Sequence, residues 1–208
     1  MTEQISNENI PQIARQMLDK AQQETDESDD AIDLLKADHD EAQDLFKKYW
    51  DAESAAEKQL LATQLALALS VHMRIEEDIF YPAVSRALLG ADKPKDKDDL
   101  IVPEAKLEHE SLKKLIGEVE SASDKADFDA HVQVMCEYTN HHIKEEENKM
   151  FDRAKDCGLD MDDLGRQIRD AKAALLSRMS DGSGIGSLPS ALFRSQTAHS
   201  GLGIADRR

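Results

Sequence analysis

Val71-His72-Met73-Arg74-Ile75-Glu76-Glu77-Asp78-Ile79-Phe80-Tyr81 is the stretch that decides the fold. His72 and Glu76 are four residues apart. At about 100° per residue, that spacing sets both side chains on one face of a helix, one turn apart. A neutral imidazole and a carboxylate so placed can hold one metal ion between them. A charged helix also produces such a pair by chance, as a surface histidine beside a helix-forming Glu. This chain, however, writes the pair twice. His142-Ile143-Lys144-Glu145-Glu146-Glu147-Asn148-Lys149-Met150-Phe151 repeats the His, the two Glu four and five residues on, and a bulky apolar pair four residues after the first of those Glu.

A second echo lies upstream of each copy. Asp38-His39-Asp40 precedes His72 and Glu108-His109-Glu110 precedes His142, each with the second histidine 33 positions after the first. Two acid-His-acid triplets and two His-x-x-x-Glu-Glu segments at one spacing mark an internal duplication of a helix hairpin.

Working outward, 208 residues suit one domain of about 150 residues with loose ends. The formal net charge of −17 disfavours nucleic acid and anionic membrane surfaces, which need Lys and Arg patches, and reads as a solvated acidic surface. The longest apolar run, Leu60 to Val71, contains Gln64 and is too short to span a bilayer. The first residues show no basic or apolar leader region. Cys136 and Cys157 suggest no disulfide framework. A cytoplasmic protein is the expectation. Few Gly, Pro and aromatic residues, with abundant Ala, Leu, Glu, Lys and Asp, make a helical composition.

Residues 1–30 are polar, with Ile10, Ile13, Met17 and Leu18 at helical spacing, and predict a short amphipathic helix followed by a solvated connection. A first helix is expected from Asp30 to about Asp51, with Ile32, Leu35, His39, Phe46 and Trp50 inward. The second opens at Ser54 with Glu57 in a capping-box pattern. Its inner stripe is Leu61, Leu65, Ala68, His72, Glu76 and Ile79; Pro82 should end or kink it just after Tyr81, with Ala83 to Leu89 continuing one or two turns that Gly90 closes. After a charged loop at 91–101, a third helix begins at Pro103 and faces inward through Ala105, His109, Leu112, Ile116 and Val119. A fourth starts near Asp127, with Met135, Tyr138, His142, Glu146 and Met150 inward. The bundle is thus expected over 31–157. A strap helix fills 158–180, with Leu164, Ile168, Leu175 and Met179 on one side, and 181–208 reads as a disordered tail in which His199 has no role.

The fold class expected is all-α: an antiparallel up-down-up-down four-helix bundle with extra N- and C-terminal helices. The duplication implies a pseudo-twofold axis, with His39 opposite His109 and His72 opposite His142. Six candidate metal ligands follow: His39, His72, Glu76, His109, His142 and Glu146. Two metals can sit between the four helices, with Glu76 and Glu146 as bridges. Mixed imidazole and carboxylate ligation suits Fe, Mn or Zn better than Mg, Ca or Cu(I). A metal-free core of this composition would need every one of these groups hydrogen-bonded.

On these motifs, residues 31–155 resemble the hemerythrin-like family with HHE cation-binding domains. The resemblance implies a non-haem di-iron centre, two iron ions with an oxo or hydroxo bridge. His39 matches the first-helix ligand, His72 with Glu76 the second-helix pair, His109 the third-helix ligand, and His142 with Glu146 the fourth-helix pair. The oxygen carriers of that family place two His four residues apart on the third helix, and end the fourth-helix motif with an Asp five residues after the His. Here Ala105 and Lys113 flank His109 at four residues, and Glu146 and Glu147 follow His142 at four and five. The missing imidazole argues against dedicated oxygen transport.

Other residues carry weaker readings. His141 should face a flank, and His131 lies about 16 Å along the helix from His142, too far for the same metals. Glu77 and Glu145 read as solvated flanks or outer supports. Asp38 and Glu108 can orient the neighbouring His through its other nitrogen. Tyr138 reads as core, Tyr81 as packing at the Pro82 kink, and Cys136 as no ligand. The function expected is di-iron binding for oxygen or redox sensing, or iron handling under stress, with oxygen, peroxide or nitric oxide as the small exogenous ligand. The alternatives are a di-iron enzyme that removes peroxide or nitric oxide or donates iron for repair, and a metal-free interaction bundle.

Overall fold

In a computed structural model, residues 9–23, 30–90 and 98–181 are described. The connection at 24–29, most of the 91–101 loop, and the tail with His199 fall outside them. Among the described residues the regular structure is helical: α1 (Ile10–Gln23), α2 (Ala31–Asp51), α3 (Ala55–Ile75), α4 (Tyr81–Gly90), α5 (Asp98–Glu120), α6 (Lys125–Glu145), α7 (Phe151–Asp156) and α8 (Met161–Ser180). Five-residue π turns, Glu76–Phe80 and Glu146–Met150, join α3 to α4 and α6 to α7.

Each bundle helix with a defined cap starts where a short polar side chain satisfies free amides. Asp30 accepts from the Ile32 amide at 2.8 Å, Ser54 from Glu57 at 3.2 Å, and Asp124 from Ala126 at 2.9 Å. The third helix begins at Asp98 rather than at Pro103, so the proline lies inside it. Its missing N–H removes one main-chain bond near the helix start, a smaller loss than in mid-helix.

The bundle packs on a stripe that alternates steps of three and four residues. In α2 the buried positions include Ile32, Leu35, His39, Ala42, Phe46 and Tyr49; in α6 they include Phe128, Val132, Met135, Thr139 and His142, continuing to Glu146. This is heptad spacing, which keeps one narrow seam facing its partners. It corrects three expectations. Trp50 is 42% exposed and Tyr49 is buried; Tyr138 is 48% exposed and Thr139 is buried; Leu176, not Leu175, is fully buried in α8. Tyr49 lies three residues after Phe46, Thr139 four after Met135, and Leu176 three before Met179. Leu61, Ala68 and Ile79 are half-buried at the edge of their stripe.

Helices α2 and α3 pack as one hairpin and α5 and α6 as the other, and α2–α6 and α3–α5 contacts close the bundle. One apolar core fills the end around Phe46, Tyr49, Leu65, Ile116 and Phe128. A second gathers Phe80, Tyr81 and Phe151 with Ile13 of α1 and Ile168 and Leu176 of α8. Helices α1 and α8 pair with each other, and α8 also lies on α2 and α3. Gly158, at φ 69°, takes the left-handed conformation that turns the chain from α7 towards α8. No described helix is long and apolar enough to cross a membrane.

Candidate metal centre

The buried polar residues among those described are Thr63, Ser70 and Thr139 together with His39, His72, Glu76, His109, His142 and Glu146. Six polar side chains in a bundle interior demand partners. These six meet between the two apolar cores. His39 and His72 meet with ring centroids 4.8 Å apart, and His109 and His142 with centroids 4.6 Å apart. One oxygen or ring nitrogen from each of His39, His72, Glu76 and Glu146 lies within 4.8 Å of the others, and the same holds for Glu76, His109 and His142. Glu76 belongs to both groups. Its Oε2 is 3.2 Å from Nε2 of His72 and 3.2 Å from Nε2 of His109. Glu146 Oε2 is 3.3 Å from Nε2 of His39 and 3.4 Å from Nε2 of His142. Both carboxylates therefore stand between the two hairpins.

The outer nitrogens fix how these rings can act. Nδ1 of His39 meets Glu147 at 2.8 Å, His109 meets Glu77 at 2.9 Å, His142 meets Glu108 at 2.8 Å, and His72 meets Asp38 at 3.4 Å. A ring that donates its Nδ1 proton to a carboxylate keeps, when neutral, a lone pair on Nε2. All four Nε2 lone pairs then point to the centre. Nε2 of His109 and of His142 are 3.1 Å apart, a repulsive approach for two lone pairs. Nε2 of His39 and His72, Oε1 of Glu76 and Oε2 of Glu146 are buried with no hydrogen-bond partner. Orphaned nitrogen and oxygen acceptors converging from three of the four bundle helices fit cations placed among them, and the donor set suits Fe, Mn or Zn.

Electrostatics agree. Burial and the charge of Glu146 push the Glu76 carboxyl well above its usual range. Burial also acts to raise Glu146, but the neighbouring His142 and His39 outweigh it and hold that carboxyl well below its usual range. Burial pulls the His109 imidazole down to about 4 despite Glu77, and burial likewise lowers His72. Burial opposes protonation of His39 too, yet Glu146 and Glu147 raise it overall. Without a cation the pocket thus favours protons on Glu76 and His39, which a bound cation would replace.

The outer carboxylates correct the sequence reading. Asp38 and Glu108 serve the histidine of the neighbouring helix, His72 and His142, not the adjacent His39 and His109. Glu77 supports His109 and is itself held by Lys113. Glu147, unassigned from the sequence, supports His39. Lys172 of the strap helix pairs with Asp38, so a helix expected to carry nothing for the site reaches its support. Glu145 pairs with Lys149. His141 is mostly exposed and touches Glu108, and His131 bonds to the Asp127 carbonyl. Cys136 accepts from Asn140.

Tyr81 is the largest departure. It is fully buried and its hydroxyl donates to Oε1 of Glu146 at 2.7 Å, with Nε2 of His109 at 3.0 Å. The π turn brings it there. The Tyr81 N–H bonds to the Glu76 carbonyl five residues back, so residue 81 stacks over residue 76 instead of swinging past it. Pro82 does not end the helix, which continues to Gly90. Phe151 sits over Glu146 in the same way, although Asp152 follows it, so proline is not the cause of the turn.

The sequence model of the hemerythrin HHE cation binding domain matches residues 30–154. An uncharacterized protein of Mycobacterium bovis is 36% identical over 58 residues, which is 27% of this chain and 36% of that protein. Uncharacterized proteins of two Mycobacterium tuberculosis strains match to the same extent. The match thus spans about a third of these relatives' length. No solved structure matches the chain significantly. With four inward histidines, two carboxylates between them and a family match over the whole bundle, the chain belongs to the hemerythrin HHE cation-binding domain family.

Proposed function

We propose that His39, His72, His109 and His142, with Glu76 and Glu146 as bridges, hold two iron ions, and that the protein uses them to bind a small ligand in oxygen or redox sensing or in iron handling under stress. The observation that supports this best is the set of four Nδ1–carboxylate bonds, which leaves four Nε2 lone pairs around two buried carboxylates. When bound, an iron pair supplies one-electron redox change and open positions for dioxygen, peroxide or nitric oxide. The chain's part is to fix four rings in one tautomer, supply two shared carboxylates, and hold the Tyr81 proton against Glu146. The surrounding apolar cores keep bulk water away and strengthen each of these interactions. A cytoplasmic setting belongs to the same proposal and accords with two free cysteines.

Iron-loaded protein exposed first to air and then to peroxide, with the visible spectrum followed, tests the reading. A spectrum that changes reversibly with oxygen or with redox state supports binding or sensing. Sustained peroxide or nitric oxide consumption would replace it with an enzymatic role.

A further inference from the structure

The duplication that builds the centre also builds two equivalent outer faces, one on each hairpin. An offset of 70 residues relates Asp38 to Glu108, Leu67 to Glu137, Ala68 to Tyr138 and Val71 to His141. On the first hairpin, Leu67 and Val71 are buried in the apolar cluster that α1 and α8 complete, and Lys172 of α8 pairs with Asp38. On the second hairpin the equivalent face lies open. Leu107 of α5 is 69% exposed, and Val134, Tyr138 and His141 of α6 are exposed with it. Leu107, Glu108, Ser111, Glu137, Tyr138 and His141 line a groove of about 470 Å³. Apolar side chains rimmed by charge are the mark of an interaction surface. The rim here is acidic, through Glu108 and Glu137.

The chain carries a segment of matching chemistry. Residues 182–208 lie outside the described residues. Their sequence holds three Arg and one Asp, a formal charge of +2, so the chain's −17 leaves −19 for residues 1–181. Within it Leu188, Leu192 and Phe193 are followed by Arg194. Reach is sufficient. Helix α8 lies on α3, and α3 packs beside α5, so the way round is about two helix spacings, ~20 Å. Residues 182–187, when extended, cover about 20 Å.

We propose that the segment 188–194 docks in the α5–α6 groove of its own chain, with Leu192 and Phe193 against Leu107 and Tyr138 and with Arg194 on the acidic rim. Arg194 then serves Glu108 as Lys172 serves Asp38 on the first hairpin. A second copy seated face to face would instead set acidic rim against acidic rim, in two chains of −17 each.

Tryptic cleavage of the full chain after Arg194 is the test, with Arg207, beyond the docked segment, as the internal reference site. Cleavage follows the undocked population. It should be about tenfold faster in a Leu107→Ser, Tyr138→Ser double variant than in the wild type, and likewise in Leu192→Ser, Phe193→Ser, because each pair removes the apolar contact. Cleavage after Arg207 should be alike in all three. Circular dichroism should be unchanged, since both groove residues are exposed; if the groove variant loses helix, the tail variant carries the comparison. Equal cleavage after Arg194 in the wild type and the folded variants would overturn the proposal. Protection that fades on dilution would overturn it too, because the groove would then hold the tail of another copy.

Discussion

Tyr81 and Phe151 occupy equivalent positions in the duplicated hairpins, and they differ by one hydroxyl, which lies 2.7 Å from Glu146 and 3.0 Å from His109. That atom makes two otherwise similar histidine pairs unequal. It places a phenol against one pair of histidines and a bare aromatic face against the other.

Replacing Tyr81 with Phe removes the donor to Oε1 of Glu146 and leaves a buried carboxylate oxygen short of a partner. The metal-free Tyr81→Phe protein should lose about 1–3 kcal/mol of stability, the usual cost of such an orphan. Denaturant unfolding of the metal-free chain reads this, and a stepwise iron titration should show weaker binding at the His109–His142 position only. Unchanged stability and unchanged titration would contradict the role given to this hydroxyl.

Glu76 and Glu146 each stand between the two histidine pairs. Glu76→Ala and Glu146→Ala should each cost both metals together, not one. Metal analysis of the folded variants checks this; two ions retained in both would remove the bridging assignment. His199→Ala is the matching control and should leave the metal content alone.

Four carboxylates orient the four rings. Glu108→Gln should lower metal affinity about 10–100-fold, the usual effect of losing such a support. Asp38→Asn should act at the His72 side in the same direction. Lys172→Met should give a smaller loss, because Lys172 reaches the centre through Asp38. Competition with a chelator measures all three, and a Lys172→Met effect larger than that of Asp38→Asn would break the proposed order.

Protons and metal compete for this pocket. Glu76 and His39 both have folded-state values raised above their ordinary ones, so both bind protons more readily here than in the unfolded chain. Metal must displace those protons, and metal affinity should therefore fall as pH falls through the slightly acidic range. Isothermal titration in buffers of different ionisation enthalpy should show net proton release on binding. Affinity that rises towards acid pH would contradict the assigned protonation states.

The fold and the candidate ligands were legible because both halves carry the same spacing and because His and Glu are conspicuous inside an apolar stripe. What escaped has two physical causes. The stripe follows alternating steps of three and four, and taking them in the wrong order, four from Phe46 and three from Met135, selected Trp50 and Tyr138 where Tyr49 and Thr139 are buried. A π turn then adds a residue after each Glu, and helical periodicity cannot carry past it to Tyr81. The signal available was the repeat itself: Phe80-Tyr81 and Met150-Phe151 echo each other. Asp38 and Glu108 were legible as supports, but their partners lie across the hairpin, and sequence adjacency points to the wrong ring.

Anaerobic reconstitution with Fe(II), followed by metal counting on the refined, folded chain, tests the central claim most directly. The account predicts two irons per chain, falling together in Glu76→Ala and Glu146→Ala. A chain that keeps its helices and binds no iron would contradict it.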